Sequence, residues 1–279
     1  MTDSWQLMKQ WPELILERLS DAGVARITLN RPEKRNCWNE PMVNAFFQAM
    51  EMIRPDRDLK VVITKGAGKG FSSGLDLSHL REINAGPLLD WDRPSPTIRL
   101  AEAIRVFPRV FIAQLHGFCI GGAFGIMNCH DLAYASHDCQ LGMPEIIRGS
   151  FGQLVTSTLL HGGLPVKKLA HIQMVGRNIS GKEASDLGIV SLSVPEAELE
   201  ATTIQYAREI ASRHLAPLEH AKITVQLGRD VGIAQAIQID QLTGARLRRA
   251  MDPLDDVEGY LKSQKGGLNV GYKRGDVDG

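Results

Sequence analysis

The sequence lacks an excess of either charge. Its 32 Lys and Arg match its 32 Asp and Glu, so the chain as a whole has no field that would hold nucleic acid, and an anionic ligand has to be met by a local basic cluster. Paired cysteines are missing too. Cys37, Cys119, Cys129 and Cys139 show no CxxC spacing, which argues against a zinc site, fits a reducing compartment and reads as small apolar packing residues. No apolar run approaches the roughly 20 residues that cross a bilayer. The stretch from Met1 to Trp11 is interrupted by polar residues where a secretory signal needs an apolar core, and a cytoplasmic protein without membrane partners is expected.

Several catalytic and nucleotide-binding patterns fail on spacing. Gly66-Ala67-Gly68-Lys69-Gly70 follows a strand-like run, but position 63 is Ile and position 70 is Gly. A phosphate-binding loop needs Gly and Ser/Thr at those places. The segment is expected to be a mobile surface loop. No two histidines stand at i, i+4 with an acidic partner, and Ser72 and Ser73 lack the glycines of a nucleophile elbow. No metal site is expected.

What is present alternates. Residues 14–19 and 24–29 read as strands around the turn Asp21-Ala22-Gly23. Asn39 is placed to cap a helix whose apolar face is Met42, Ala45, Phe46, Ala49, Met50 and Ile53. A strand at 61–63, short helices at 76–83 and 97–106, a strand at 109–115, a helix at 121–129 and a strand at 131–135 continue an α/β pattern. From Glu196 the texture becomes helical (196–213, 217–227 and 233–250), with Pro253 as a stop and a polar tail. The boundaries drawn are 1–195 for an α/β core and 196–279 for a helical region. The length of 279 residues suits one large domain with such an appendage.

Three segments carry chemistry. Phe71-Ser72-Ser73-Gly74-Leu75-Asp76-Leu77 sets a turn of small residues before a helix, where the N–H of Leu75 is free to face a cleft. His116-Gly117-Phe118-Cys119-Ile120-Gly121-Gly122-Ala123 puts two glycines at a helix entrance, where an oxygen can approach the backbone. Gly142-Met143-Pro144-Glu145-Ile146 supplies an acidic side chain after a proline.

In order and local chemistry these segments resemble the two oxyanion-hole motifs and the acidic motif of the crotonase, or enoyl-CoA hydratase/isomerase, superfamily. Leu29-Asn30-Arg31-Pro32-Glu33-Lys34-Arg35-Asn36 is similar to its first coenzyme A-contacting loop. The resemblance runs from about Leu14 to about Tyr272. It implies a spiral of ββα units with a C-terminal helical trimerisation region, assembled as a homotrimer or a dimer of trimers. It also implies an acyl-CoA thioester substrate, with coenzyme A as part of the substrate and no separate cofactor. By the same likeness Leu75 and Gly122 would hold the thioester oxygen, and Glu145 would be the acid/base. Lys34, Arg35, Ser73, His79, Gly121 and Gly125 would lie along the substrate.

The chain departs from the superfamily's two-glutamate hydratases at Gly125, which stands where their other glutamate is found. Two single-glutamate branches fit this better: the p-hydroxycinnamoyl-CoA hydratase-lyases and the double-bond isomerases. The segments 80–87, 117–122 and 271–274 are similar to the former, but its phenol-contacting tyrosines are unmatched. His79 falls near one such place, and residues 232–248 contain no tyrosine. Trp38, Trp91 and Phe151 are candidates to line an acyl pocket, or else packing residues. A non-catalytic acyl-CoA binding protein is the alternative from another class.

Overall fold

The computed structural model describes residues 4–78 and 96–250. The strands, in chain order, are β1 (Trp5–Gln10), β2 (Leu14–Leu19), β3 (Val24–Leu29), β4 (Val61–Gly66), β5 (Val110–Leu115), β6 (Phe118–Ile120), β7 (Leu132–Ser136), β8 (Gln140–Gly142), β9 (Ile179–Ser180) and β10 (Leu192–Val194). The helices are α1 (Glu40–Ile53), α2 (Pro96–Val106), α3 (Gly122–Met127), α4 (Gln153–His161), α5 (Val166–Val175), α6 (Gly181–Asp186), α7 (Glu196–Ala211), α8 (Leu215–Gly228) and α9 (Ile233–Ala250).

Seven strands form one sheet in the order β1-β2-β3-β4-β5-β7-β10, and β6-β8-β9 form a second, smaller one. The hairpin of β2 and β3 is antiparallel, whereas every neighbouring pair from β3 to β10 is parallel. Successive turns of chain add a strand to each sheet: β5 is followed by β6 and α3, then β7 by β8. This is the expected α/β spiral of ββα units. The residues of β4 explain its central place. Val61 to Thr64 are all buried, as both faces of a parallel strand must be.

Asn39 caps α1 as its position suggested, accepting the Met42 N–H at 3.0 Å. The apolar face of α1 lies in the main core with Phe111, Phe124 and Leu141. The opposite sheet face is covered by α7, whose Leu199, Ile204, Ala207 and Ala211 meet Leu19, Val24, Val61, Ile63 and Ile112. The C-terminal region therefore opens with a helix that shares a core with the sheet.

One strand goes beyond those the spacing marks, and one expectation is corrected. β1 was not foreseen, because it is an edge strand whose residues are exposed or half-buried, without an apolar run to announce it. The glycine-rich segment 66–70 is an anchored turn and no mobile loop. Asn36 Nδ2 donates to the carbonyls of Ala67 and Gly70 at 2.8 and 3.0 Å, and His116 Nε2 meets the Gly68 carbonyl at 2.9 Å. Of the helix expected at 76–83, residues 77–78 are helical and the rest lie outside the described residues, as do Trp91, Pro253 and the tail.

Helix α8 is fastened to the core by a buried cation. Lys222 Nζ donates to the Ile104 and Arg109 carbonyls, both at 2.9 Å, and to Asp131 Oδ2 at 2.8 Å. Burial lowers the Lys222 pKa, opposed by Asp131, and raises that of Asp131, opposed by Lys222. Removing one partner of such a pair leaves a buried charge and orphaned carbonyls. Lys222→Met is expected to cost about 3 kcal/mol in urea unfolding, and a cost below about 1 kcal/mol would show that the pair is dispensable.

Candidate active site

The segment 71–76 is held between two neighbours. Towards β6, Phe71 N–H donates to the Phe118 carbonyl at 2.9 Å and Ile120 N–H to the Ser72 carbonyl at 3.0 Å. On the other side, Ser73 N–H donates to the Arg35 carbonyl at 3.0 Å, Trp38 N–H to the Gly74 carbonyl at 2.8 Å, and Asp76 N–H to the Trp38 carbonyl at 2.9 Å. Trp38 thus takes the groups on either side of Leu75. Successive amides of an extended chain point in opposite directions, so the Leu75 N–H is turned away from Trp38. It has no acceptor among the described residues.

A second free amide stands beside it. Gly121, at φ +60°, donates its N–H to the Gly142 carbonyl at 2.8 Å and introduces α3, so Gly122 is a first-turn residue without an intrahelical acceptor. Gly74 lies at φ +92°, a conformation that favours glycine. A Cβ on Gly74 would lie 2.8 Å from the Ile120 carbonyl oxygen and 3.1 Å from the Gly122 nitrogen. From the other side, a Cβ on Gly122 would lie 3.8 Å from the Leu75 nitrogen. The glycines let two backbones far apart in sequence close to contact, with an unpaired N–H on each.

Glu145 faces the same spot. It follows β8 on a 3-10 turn over Pro144–Arg148, and its Oε1 lies 2.7 Å from where a Gly121 Cβ would stand. Its Oε2 is buried without a hydrogen-bond partner. Burial pushes the carboxyl pKa above its ordinary value, against the opposing pull of its own backbone N–H and Arg148. Two donors for an oxygen and one acid/base beside them can polarise a carbonyl and move a proton at the neighbouring carbon.

The remaining expected residues divide. Lys34 and Arg35 are exposed on the loop that Ser73 bonds, and neither has an ion-pair partner among the described residues. Ser73 is half-buried at the junction. Gly121 lies against Glu145, as above. Gly125 is buried inside the contact of α3 with α4, where a Cβ would lie 2.8 Å from Leu154 Cγ; it serves helix packing, and the path of a side chain there is filled. His79 lies outside the described residues. Trp38 is a core residue at 1% exposure and Phe151 is 53% exposed. Asn36 and Gly74 are working parts beyond the residues that their types single out. The signal for Gly74 was available in its place directly before Leu75, whereas that for Asn36 was not, since its partners at 67 and 70 are remote.

A profile of the enoyl-CoA hydratase/isomerase family matches residues 20–245. The chain is 31% identical over 266 residues to hydroxycinnamoyl-CoA hydratase-lyase of Pseudomonas fluorescens, covering 90% of this chain and 94% of that one. It is 26% identical to the peroxisomal Delta(3,5)-Delta(2,4)-dienoyl-CoA isomerase of Arabidopsis thaliana, over 80% and 84% of the two chains. Among solved structures, human enoyl coenzyme A hydratase domain-containing protein 3 superposes with a TM-score of 0.82 at 25% identity, covering 90% and 98%.

The buried, unbonded oxygen of Glu145 is a stability cost. A carboxyl whose folded pKa is raised stabilises the fold while protonated, and that contribution is lost as pH rises through the raised value. Glu145→Gln is therefore expected to be more stable than wild type by about 1 kcal/mol at pH 7, since the group is only half buried, and indistinguishable near pH 4. Urea unfolding at both pH values checks this. A destabilised Gln variant at pH 7 would mean that the carboxylate is satisfied.

Proposed function

Because the chain belongs to the enoyl-CoA hydratase/isomerase family, we propose that it is an enzyme acting on an enoyl-CoA thioester. The Leu75 and Gly122 N–H groups hold the thioester oxygen, and Glu145 exchanges protons with the carbons next to it. The observation that carries this reading is the meeting of two unpaired backbone N–H groups with one partly buried carboxylate. Coenzyme A enters as part of the substrate, its phosphates met by the exposed Lys34 and Arg35. Ser73 and Gly121 border the thioester. Assembly as a homotrimer or dimer of trimers is part of the reading, supported by exposed Val225, Ile233 and Leu242 on α8 and α9.

The preferred chemistry is of the hydratase-lyase type. Water adds across the double bond, oxygen to the β carbon and a proton to the α carbon. Loss of the new hydroxyl proton then breaks the bond between α and β carbons, releasing an aldehyde and leaving the electron pair on the thioester as an enolate. Both steps pass through negative charge on the oxygen that the two amides face, and protonation of the enolate at carbon gives a shortened thioester. Gly125 supplies no second carboxylate, so paired-carboxylate water activation is not part of this reading. The likeness to the Pseudomonas fluorescens hydratase-lyase supports it. Double-bond migration is the second reading, favoured by the likeness to the dienoyl-CoA isomerase and by the needs of a 1,3 proton shift, which a single carboxyl meets.

Mass spectrometry of products from a panel of enoyl-CoA thioesters separates cleavage, a gain of water and an unchanged mass. Glu145→Gln is expected to lower kcat by about 100-fold or more while thioester binding is kept. Gly74→Ala, which drives a methyl group against Ile120 and Gly122, is expected to lower kcat by on the order of 100-fold. Saturable binding without turnover in wild type would favour the non-catalytic alternative.

A further inference from the structure

The loop that carries Lys34 and Arg35 is clamped to the residue after Leu75. Arg31 Nη1 and Nη2 each donate to Asp76 Oδ2 at 3.2 Å, and Nη1 also donates to the Cys37 carbonyl at 2.8 Å. The two side chains are 14% and 17% exposed, so this pair is shielded in a way that ordinary surface pairs are not. Burial tends to raise the Asp76 pKa. Hydrogen bonds from the Ser78 N–H, Cys37 and Arg31 outweigh it, holding the carboxyl below its ordinary value and charged at neutral pH.

The loop itself has little slack. Arg35 and Asn36 both stand at φ +52°, a conformation uncommon for non-glycine residues and better tolerated by Asn than by Arg. The Asn36 side chain holds the turn, accepting the Arg31 N–H at 2.9 Å as well as donating to Ala67 and Gly70. Ser72 Oγ donates to the Asn36 carbonyl at 2.7 Å and accepts the Gly74 N–H at 3.2 Å. A pull on Lys34 or Arg35 thus reaches Ser72, Gly74 and Asp76 through short bonds, with Leu75 in their midst.

We propose that Arg31 is a positioning residue that, by clamping Asp76, makes the direction of the Leu75 N–H depend on the loop that grips the polyanionic end of the substrate. Attraction far from the reacting carbons is then expressed as stabilisation of charge on the thioester oxygen. Binding energy from a remote part of a substrate raises kcat where it is expressed in the transition state, and a mechanical link of this kind is one route to that. The inference rests on the thioester reading above and deepens it.

The test compares one enoyl group carried on coenzyme A and on pantetheine, which lacks the nucleotide. In wild type, kcat on the coenzyme A thioester is expected to exceed that on the pantetheine thioester by about tenfold or more. Arg31→Met is expected to remove most of that advantage, lowering kcat for the coenzyme A thioester about tenfold with KM within about threefold and leaving the pantetheine thioester nearly unaffected. Arg31→Lys should recover part of the advantage, and Asp76→Asn should lose it from the other end of the clamp. Equal losses on both thioesters, or a rise in KM for the coenzyme A thioester with kcat unchanged, would overturn the proposal while leaving the enzymatic reading intact. A wild type that turns over neither thioester would overturn that reading, and this proposal with it.

Discussion

A backbone N–H taken out of water has to find an acceptor, and at Leu75 and Gly122 this fold offers none among the described residues. The Leu75 N–H is denied because Trp38 bonds the residues on either side of it, and the Gly122 N–H because it opens a helix. Neither vacancy arises from a side chain, so neither is visible as a reactive residue. Both follow from hydrogen-bond ladders whose alternation decides which amides are used. The second, smaller sheet exists in the right place for this. Pairing of β6 with β8 and bridging of β6 to Ser72 bring residues 72–76, 121–122 and 142–145 to one point.

Two positive-φ glycines and one unmet polar atom lie at that same point. Gly74 and Gly121 carry positive φ values, and Glu145 Oε2 lacks a partner. The unmet oxygen works against folding, and it is tolerated because the surrounding layers are dense: α1, α2 and α3 on one face of the large sheet, α7 on the other. His130 is a buried polar group of another kind. His130 is buried with its ring nitrogens near the Ile126 carbonyl and Thr64 Oγ1, and burial lowers its pKa to about 4, which fits a neutral structural residue. The contrast between His130 and Glu145 separates a buried group whose ring nitrogens have partners from one whose Oε2 has none.

Much of this could be read from the residues. The hairpin strands, the cap at Asn39 and the three long C-terminal helices stand where spacing put them, because caps and apolar periodicity are local properties. The Leu75, Gly122 and Glu145 segments were found by their order and their likeness to a superfamily. Some of what escaped depends on contacts remote in sequence, but α4, α5 and α6 escaped too, although α6 opens on a local capping box of Ser180 with Glu183. Asn36 gives no sign that its side chain anchors residues 67 and 70, and the Gly125 position reads as a missing carboxylate without revealing that Leu154 fills the space. β1, β8 and β9 are too short or too exposed for a period-two pattern to mark them.

The most direct test of the two-amide account is the carbonyl stretch of a carbon-13-labelled thioester bound to the protein, read by difference infrared spectroscopy. Two N–H groups about 2.7–3.1 Å from the oxygen polarise the carbonyl, so the band is expected to move to lower frequency than in water. A bound thioester whose band stays at its solution frequency would contradict the account, because the oxygen would then lie outside the reach of Leu75 and Gly122.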